Sequence, residues 1–201
     1  MESTLLFPGQ GAYHRGTLTE LTSATPAAAA ALEEIDDAVR PLIGRSIVDA
    51  LLASPPPDLD ELLSGDPELL QLGIYATSVA LFAALQARGA RPTRHVGHSF
   101  GEIAARVCAG AFTAGEGAEL VHHRTRALID AAVADGYMAA LGLDSARAEG
   151  LLALLADPEI VVAVENRPTQ TVLSGARAPM DRAGEVARGL AVSCIPLKSP
   201  Y

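Results

Sequence analysis

A chain of 201 residues is long enough to bury one full domain, or one domain and a small companion. Its net charge of −9 excludes non-specific nucleic-acid binding, which needs a basic face to displace counterions, and leaves small molecules and proteins as partners. Hydrophobic residues make up 49% of the chain, but much of this is alanine, and no apolar run is expected to be unbroken enough to span a bilayer. The start, Met1-Glu2-Ser3-Thr4-Leu5-Leu6-Phe7, has neither the basic stretch nor the long apolar stretch of a signal peptide, so the expected location is the cytoplasm, away from membranes. The two cysteines, Cys108 and Cys194, lie in apolar surroundings and read as buried small hydrophobes, not as a disulfide or metal pair.

Leu5-Leu6-Phe7 reads as a short strand running into Pro8-Gly9-Gln10-Gly11, a loop whose glycines allow close approach of the backbone to a neighbour or ligand. Thr25 followed by Pro26 predicts a helix start, and that helix carries the alanine run through Leu32, Ile35 and Val39. The stretch from Ser54-Pro55-Pro56-Pro57 to Asp66-Pro67 is broken and polar and reads as a surface connection. A long apolar helix is expected from Glu68 to Arg88, closed by Gly89.

Arg94-His95-Val96 then leads like a strand into Gly97-His98-Ser99-Phe100-Gly101-Glu102, and Ile103-Ala104-Ala105-Arg106-Val107 leads out like a helix. This is the pattern of a nucleophile elbow, in which a serine on a tight strand-to-helix turn has its hydroxyl pushed into the open. The first-turn amides and the helix dipole can stabilise an oxyanion beside it. His98 precedes the serine, but adjacent residues on a tight elbow point in different directions, so it reads as structural or pocket-lining and not as a base. His95, in the leading strand, reads as a satisfied core histidine.

Thr113-Ala114-Gly115-Glu116 is a capping box that opens a further helix, expected to run to about Asp135-Gly136. On its wheel Leu120, Val121, Ala127, Leu128 and Ala131 share one arc, and Arg124 falls near the middle of it. An arginine there must snorkel, pair with an internal carboxylate or await an anionic ligand. His122 and His123 fall off the arc and read as solvated. From Gly136 the pattern becomes β-α-β-β-α-β, with elements Tyr137-Leu143, Ser145-Leu155, Ile160-Glu165, Gln170-Ser174, Pro179-Leu190 and Val192-Leu197, an order that suggests a small ferredoxin-like domain.

Phe7-Pro8-Gly9-Gln10-Gly11, Gly97-His98-Ser99-Phe100-Gly101-Glu102 and Arg124 together resemble the acyltransferase family that loads acyl carrier proteins. That family comprises malonyl-CoA:acyl-carrier-protein transacylases and the acyltransferases of polyketide synthases. Gln71, Cys108-Ala109-Gly110-Ala111, Gly136-Tyr137-Met138-Ala139-Ala140, Asn166 and Val172-Leu173-Ser174-Gly175 extend the resemblance over essentially the whole chain. It implies an α/β fold, with an α/β-hydrolase-like large domain over residues 1–135, an inserted ferredoxin-like small domain over 136–197, and a return to the large domain at 198–201.

The resemblance further implies a malonyl-type acyltransferase acting in polyketide or fatty-acid biosynthesis. Ser99 would take the acyl group from malonyl-CoA, or a substituted malonyl-CoA, and pass it to the phosphopantetheine thiol of an acyl carrier protein. No cofactor and no metal is implied. The backbone N–H groups of Gln10 and Phe100 would form the oxyanion hole, Arg124 would bind the distal carboxylate, and Gln71 and His98 would line the substrate site. Other readings are a hydrolase that clears acyl groups from carrier proteins and a non-catalytic fragment that docks on a carrier protein. Carrier proteins of this kind are usually acidic, so recognition by this acidic chain calls for a local arginine patch. In the family a general-base histidine follows the small domain, and here no histidine follows His123. The expectation is a truncated, cleaved or split portion with the C-terminal part of the large domain missing.

Overall fold

The computed structural model describes residues 2–131 and 136–197. The chain divides into two compact units, Met1–Ala127 and Leu128–Tyr201, each with its own hydrophobic core. The expected return at 198–201 lies outside the described residues.

In the first unit β1 (Thr4–Phe7) pairs in parallel with β2 (Arg94–Gly97), Thr4 opposite Arg94 and Phe7 opposite Gly97. Between them run α1 (Thr17–Ala24), α2 (Pro26–Ile43), α3 (Ile47–Leu51), α4 (Leu59–Gly65) and α5 (Pro67–Ala87). After β2 come α6 (Gly101–Cys108) and α7 (Ala114–Ala131). Three of these helices were not legible as elements in the sequence. Helix α1 follows Gly16, an N-cap residue that offers no side-chain cap, α3 spans little more than one turn, and α4 lies inside the stretch expected to be an irregular connection. Asp58 and Glu61 bond reciprocally at the start of α4, forming a capping box that the neighbouring prolines mask. Thr25 does cap α2 by position, but its hydroxyl makes no capping bond.

Helix α5 is the centre of this unit, packed against α1, α2, α3, α4 and α6. Leu70, Leu72, Ile74 and Tyr75 are wholly or almost wholly buried there. Contrary to the expectation from sequence, α5 is long and apolar enough, by length and composition, to cross a bilayer. Its apolarity on all sides follows from being surrounded by other helices.

The second unit runs β3 (Gly136–Leu141), α8 (Ser145–Leu155), β4 (Ile160–Arg167), β5 (Gln170–Ala176), α9 (Arg177–Gly189) and β6 (Cys194–Pro196). The element order is the one read from the sequence. The strands form one antiparallel sheet in the order β4-β5-β3-β6. Ala139, Leu141 and Leu173 on one sheet face pack with Ala148 and Leu151 of α8 and with Met180, Ala183 and Ala187 of α9. Cys108 and Cys194 are both free, and burial pushes the Cys108 thiol up to about 12, keeping it protonated as an inert hydrophobe.

Candidate active site

The elbow is built by two segments pressed together. The β1–β2 ladder continues past the strands, with His98 N–H donating to Phe7 O at 2.9 Å, and the chain then turns at Ser99 with φ 52 before entering α6. A side chain has no room at the flanking glycines. A Cβ on Gly97 would lie 2.4 Å from Glu102 N, and one on Gly101 would lie 2.3 Å from Phe7 O. The glycine loop touches the same turn, since a Cβ on Gly9 would come within 3.2 Å of His98 O and 3.7 Å of Ser99 Cβ. Gly9 thereby sets the loop against the elbow, whereas a Cβ on Gly11 would meet nothing within 4 Å.

Gly101, Glu102 and Ile103 donate their N–H groups to the carbonyls of His98, Ser99 and Phe100, which closes the first turn of α6. Among the described residues, the amides of Gln10 and Phe100 enter no backbone hydrogen bond. Ser99 itself is exposed and opens into a pocket of about 350 Å³ lined by Phe100, Glu102, Ile103, Arg106, Phe112, Leu120 and Arg124. Phe112 and Leu120 keep 40% and 43% of their surface accessible, so the pocket mouth is partly apolar.

Arg124 enters this pocket from α7, which is anchored at its start. Thr113 and Glu116 form the expected capping box, Gly115 N–H donates to Glu34 Oε1, and Tyr75 donates to Ala114 O at 2.7 Å. The buried face of α7 shares only Val121 with the arc read from the wheel. It comprises Gly115, Gly117, Ala118, Val121 and Thr125, while Leu120 and Ala127 are exposed. The cause is Tyr75, whose ring lies so close to Gly117 that a Cβ there would meet its hydroxyl at 2.2 Å. Small residues face the core, and Leu120 and Arg124, one turn apart, face the pocket. Arg124 Nη1 is buried without a hydrogen-bond partner among the described residues, and its guanidinium stands 5.4 Å from the centroid of the Phe100 ring. Of the three fates open to this arginine, pairing with an internal carboxylate is not observed among the described residues.

A sequence pattern describing the acyl transferase domain matches residues 4–189, which takes in the loop, the elbow, α7 and the second unit as far as the end of α9. The chain belongs to the acyl transferase domain family. Polyketide synthase GfsE of Streptomyces halstedii is 38% identical over 181 residues, covering 88% of this chain and 5% of that protein. A phenolphthiocerol/phthiocerol polyketide synthase polypeptide from Mycobacterium tuberculosis is 34% identical over 180 residues, covering 89% of this chain and 11% of the relative. Among solved structures, the acyltransferase domain from module 8 of the salinomycin polyketide synthase superposes with TM-score 0.85 at 28% identity, over 100% of this chain and 46% of that one. An acyl-carrier-protein S-malonyltransferase from Burkholderia pseudomallei superposes with TM-score 0.83 at 29% identity, over 99% and 63% respectively. The chain thus spans a small part of those curated relatives and less than two thirds of those solved chains.

The other residues singled out in this acyl transferase domain fall into place unevenly. Gln71 is wholly buried on α5, outside the pocket lining, with both amide atoms unpartnered among the described residues. His98 is exposed beside Gly9 and also lies outside that lining. His95 is not satisfied as expected, for its Nε2 is buried without a partner among the described residues and its ring packs between Phe7 and Phe82. His122 is not solvated either. Its side chain is 12% exposed and Nδ1 lies 2.5 Å from Glu68 Oε1, tying α7 to the start of α5, while His123 packs edge-on against it. The wheel could not show this pairing, because Glu68 approaches from another helix. Arg106 and Phe112 were missed as pocket residues. Their spacing from Ser99 along α6 and its following turn is the signal that could have found them.

Proposed function

We propose that this chain carries the nucleophile and acyl-binding groups of an acyltransferase acting in polyketide or fatty-acid biosynthesis. It would move a malonyl-type group from CoA to the phosphopantetheine thiol of an acyl carrier protein, as a cytoplasmic enzyme. In this reading the first unit is an α/β-hydrolase-like large domain and the second a ferredoxin-like small domain. Ser99 Oγ attacks the thioester carbonyl carbon, the carbon–sulfur bond breaks, and the serine proton ends on the released CoA thiol. The carrier thiol then attacks the acyl-serine, and its proton returns to Ser99. The N–H groups of Gln10 and Phe100 receive the oxyanion in both steps. Arg124 binds the distal carboxylate through its planar fork. Gln71 and His98 have weaker support as substrate contacts, since neither lines the pocket.

The observation that carries this reading is the Arg124 guanidinium in the pocket onto which Ser99 opens, its Nη1 buried with no hydrogen-bond partner among the described residues. Ser99 and Arg124 line the same pocket, so one short acyl group can meet both. Intact-mass measurement with malonyl-CoA is expected to give a malonyl adduct mapping to Ser99, absent in Ser99→Ala and strongly reduced in Arg124→Ala. Transfer of that adduct to a holo carrier protein completes the cycle. An adduct that persists in Ser99→Ala sinks the assignment, and an adduct lost to water while the carrier stays unloaded favours the hydrolase.

A further inference from the structure

A half-buried arginine is usually held by a carboxylate, and Arg124, whose Nη1 is buried, is held differently. The Arg124 guanidinium stands 5.4 Å from the centroid of the Phe100 ring, both residues line the Ser99 pocket, and Nη1 has no partner among the described residues. A carboxylate would have fixed the side chain while neutralising it and occupying its fork. An aromatic face attracts the cation and sets its plane, yet leaves its charge and edge N–H groups for a ligand. The ring is itself well fixed. Phe100 is 3% exposed, caps α6, and accepts Ile103 N–H at its carbonyl.

We propose that the Phe100 ring is a positioning residue that holds the Arg124 fork at a set orientation relative to Ser99, and so sets selectivity for acyl groups ending in a carboxylate. This rests on the reading of Arg124 as the carboxylate site. One residue then serves both ends of the acyl group, through its amide at the reacting carbonyl and through its ring at the distal carboxylate. The ring acts through Arg124 and touches no reacting atom.

The test is single-turnover labelling of Ser99 in the full chain, comparing malonyl-CoA with acetyl-CoA. Phe100→Met keeps the backbone amide and much of the apolar volume but removes the ring, whereas Phe100→Tyr keeps the ring. The ratio of malonyl to acetyl labelling is expected to fall about fivefold in Phe100→Met and to be retained in Phe100→Tyr. Equal loss with both thioesters, or none with either, overturns the proposal. A malonyl preference that survives Arg124→Ala overturns the underlying carboxylate reading, while one lost in Arg124→Ala and kept in Phe100→Met overturns the positioning role alone. A second readout needs no acyl transfer. In NMR spectra the Arg124 side-chain protons are expected upfield in the wild type and in Phe100→Tyr, and back at ordinary positions in Phe100→Met. Arg124 protons unshifted in the wild type overturn the proposal directly.

Discussion

Ser99 occupies backbone space that a serine enters only under constraint, because at φ 52 its Cβ crowds the following carbonyl. The constraint comes from both flanks, where Gly97 and Gly101 lie against the backbone of Glu102 and Phe7. Glycine would relax this position, and its absence is consistent with a hydroxyl being needed there. Ser99→Gly is therefore expected to raise the thermal midpoint above that of Ser99→Ala by about 2–4 °C, the equivalent of roughly 1 kcal/mol in a chain of this size. Alanine keeps the strain and glycine releases it. Calorimetry on the two variants checks this, and equal midpoints would show that the turn stores no strain at Ser99.

At the scale of elements, Asp36 ties α2 to the start of α3. Its buried carboxylate accepts from Ile47 N at 2.6 Å, Val48 N at 3.4 Å and Ser46 Oγ at 3.0 Å, and pairs with Arg40. It thereby caps α3, a helix too short to stand alone. Burial pushes this carboxyl up, but the bonds from Arg40, Ile47, Ser46 and Val48 outweigh it and hold the group below the usual carboxylate range. The folded chain thus binds this proton less tightly than the unfolded one. The stabilisation is complete above the unfolded value near ~3.9 and is lost as pH falls through the folded value. Asp36→Asn is expected to lose about 1–3 kcal/mol at pH 7, and urea unfolding at decreasing pH should show the gap to wild type narrowing. A gap independent of pH would assign the loss to packing. Asp36 also marks the limit of what was legible in the sequence. The elbow could be read because strand, turn and helix are contiguous and the two glycines are fixed by local geometry. The six elements of the second unit could be read because short alternating patterns reflect a sheet with one covered face. Contacts between distant segments could not. Asp36 reaching α3, Glu68 reaching His122 and Tyr75 pressing on Gly117 each depend on packing, and the last turned the buried face of α7 away from its apolar arc.

For the molecule as a whole, the net charge of −9 bears on how a carrier protein could be met. If that partner is acidic, as the proposed function implies, the two approach through mutual repulsion. Attraction can arise only locally, and Arg106 and Arg124 line the Ser99 pocket, where in the proposed function the carrier's thiol arrives. The two effects have different ranges. Repulsion between net charges acts over the Debye length, about 30 Å at 0.01 M salt and about 8 Å at 0.15 M, whereas a contact between a guanidinium and an anion inside the pocket is screened much less. Raising salt from the lower to the higher concentration should therefore remove more repulsion than attraction. The association rate with a holo carrier protein, measured by stopped flow, is expected to rise over that interval, opposite to the fall seen for partners of complementary charge. Arg106→Ala should slow association at both concentrations while preserving the rise. A rate that falls with salt in the wild type would mean that a basic patch governs the encounter from long range, and the net charge would then be no guide to this chain's partner.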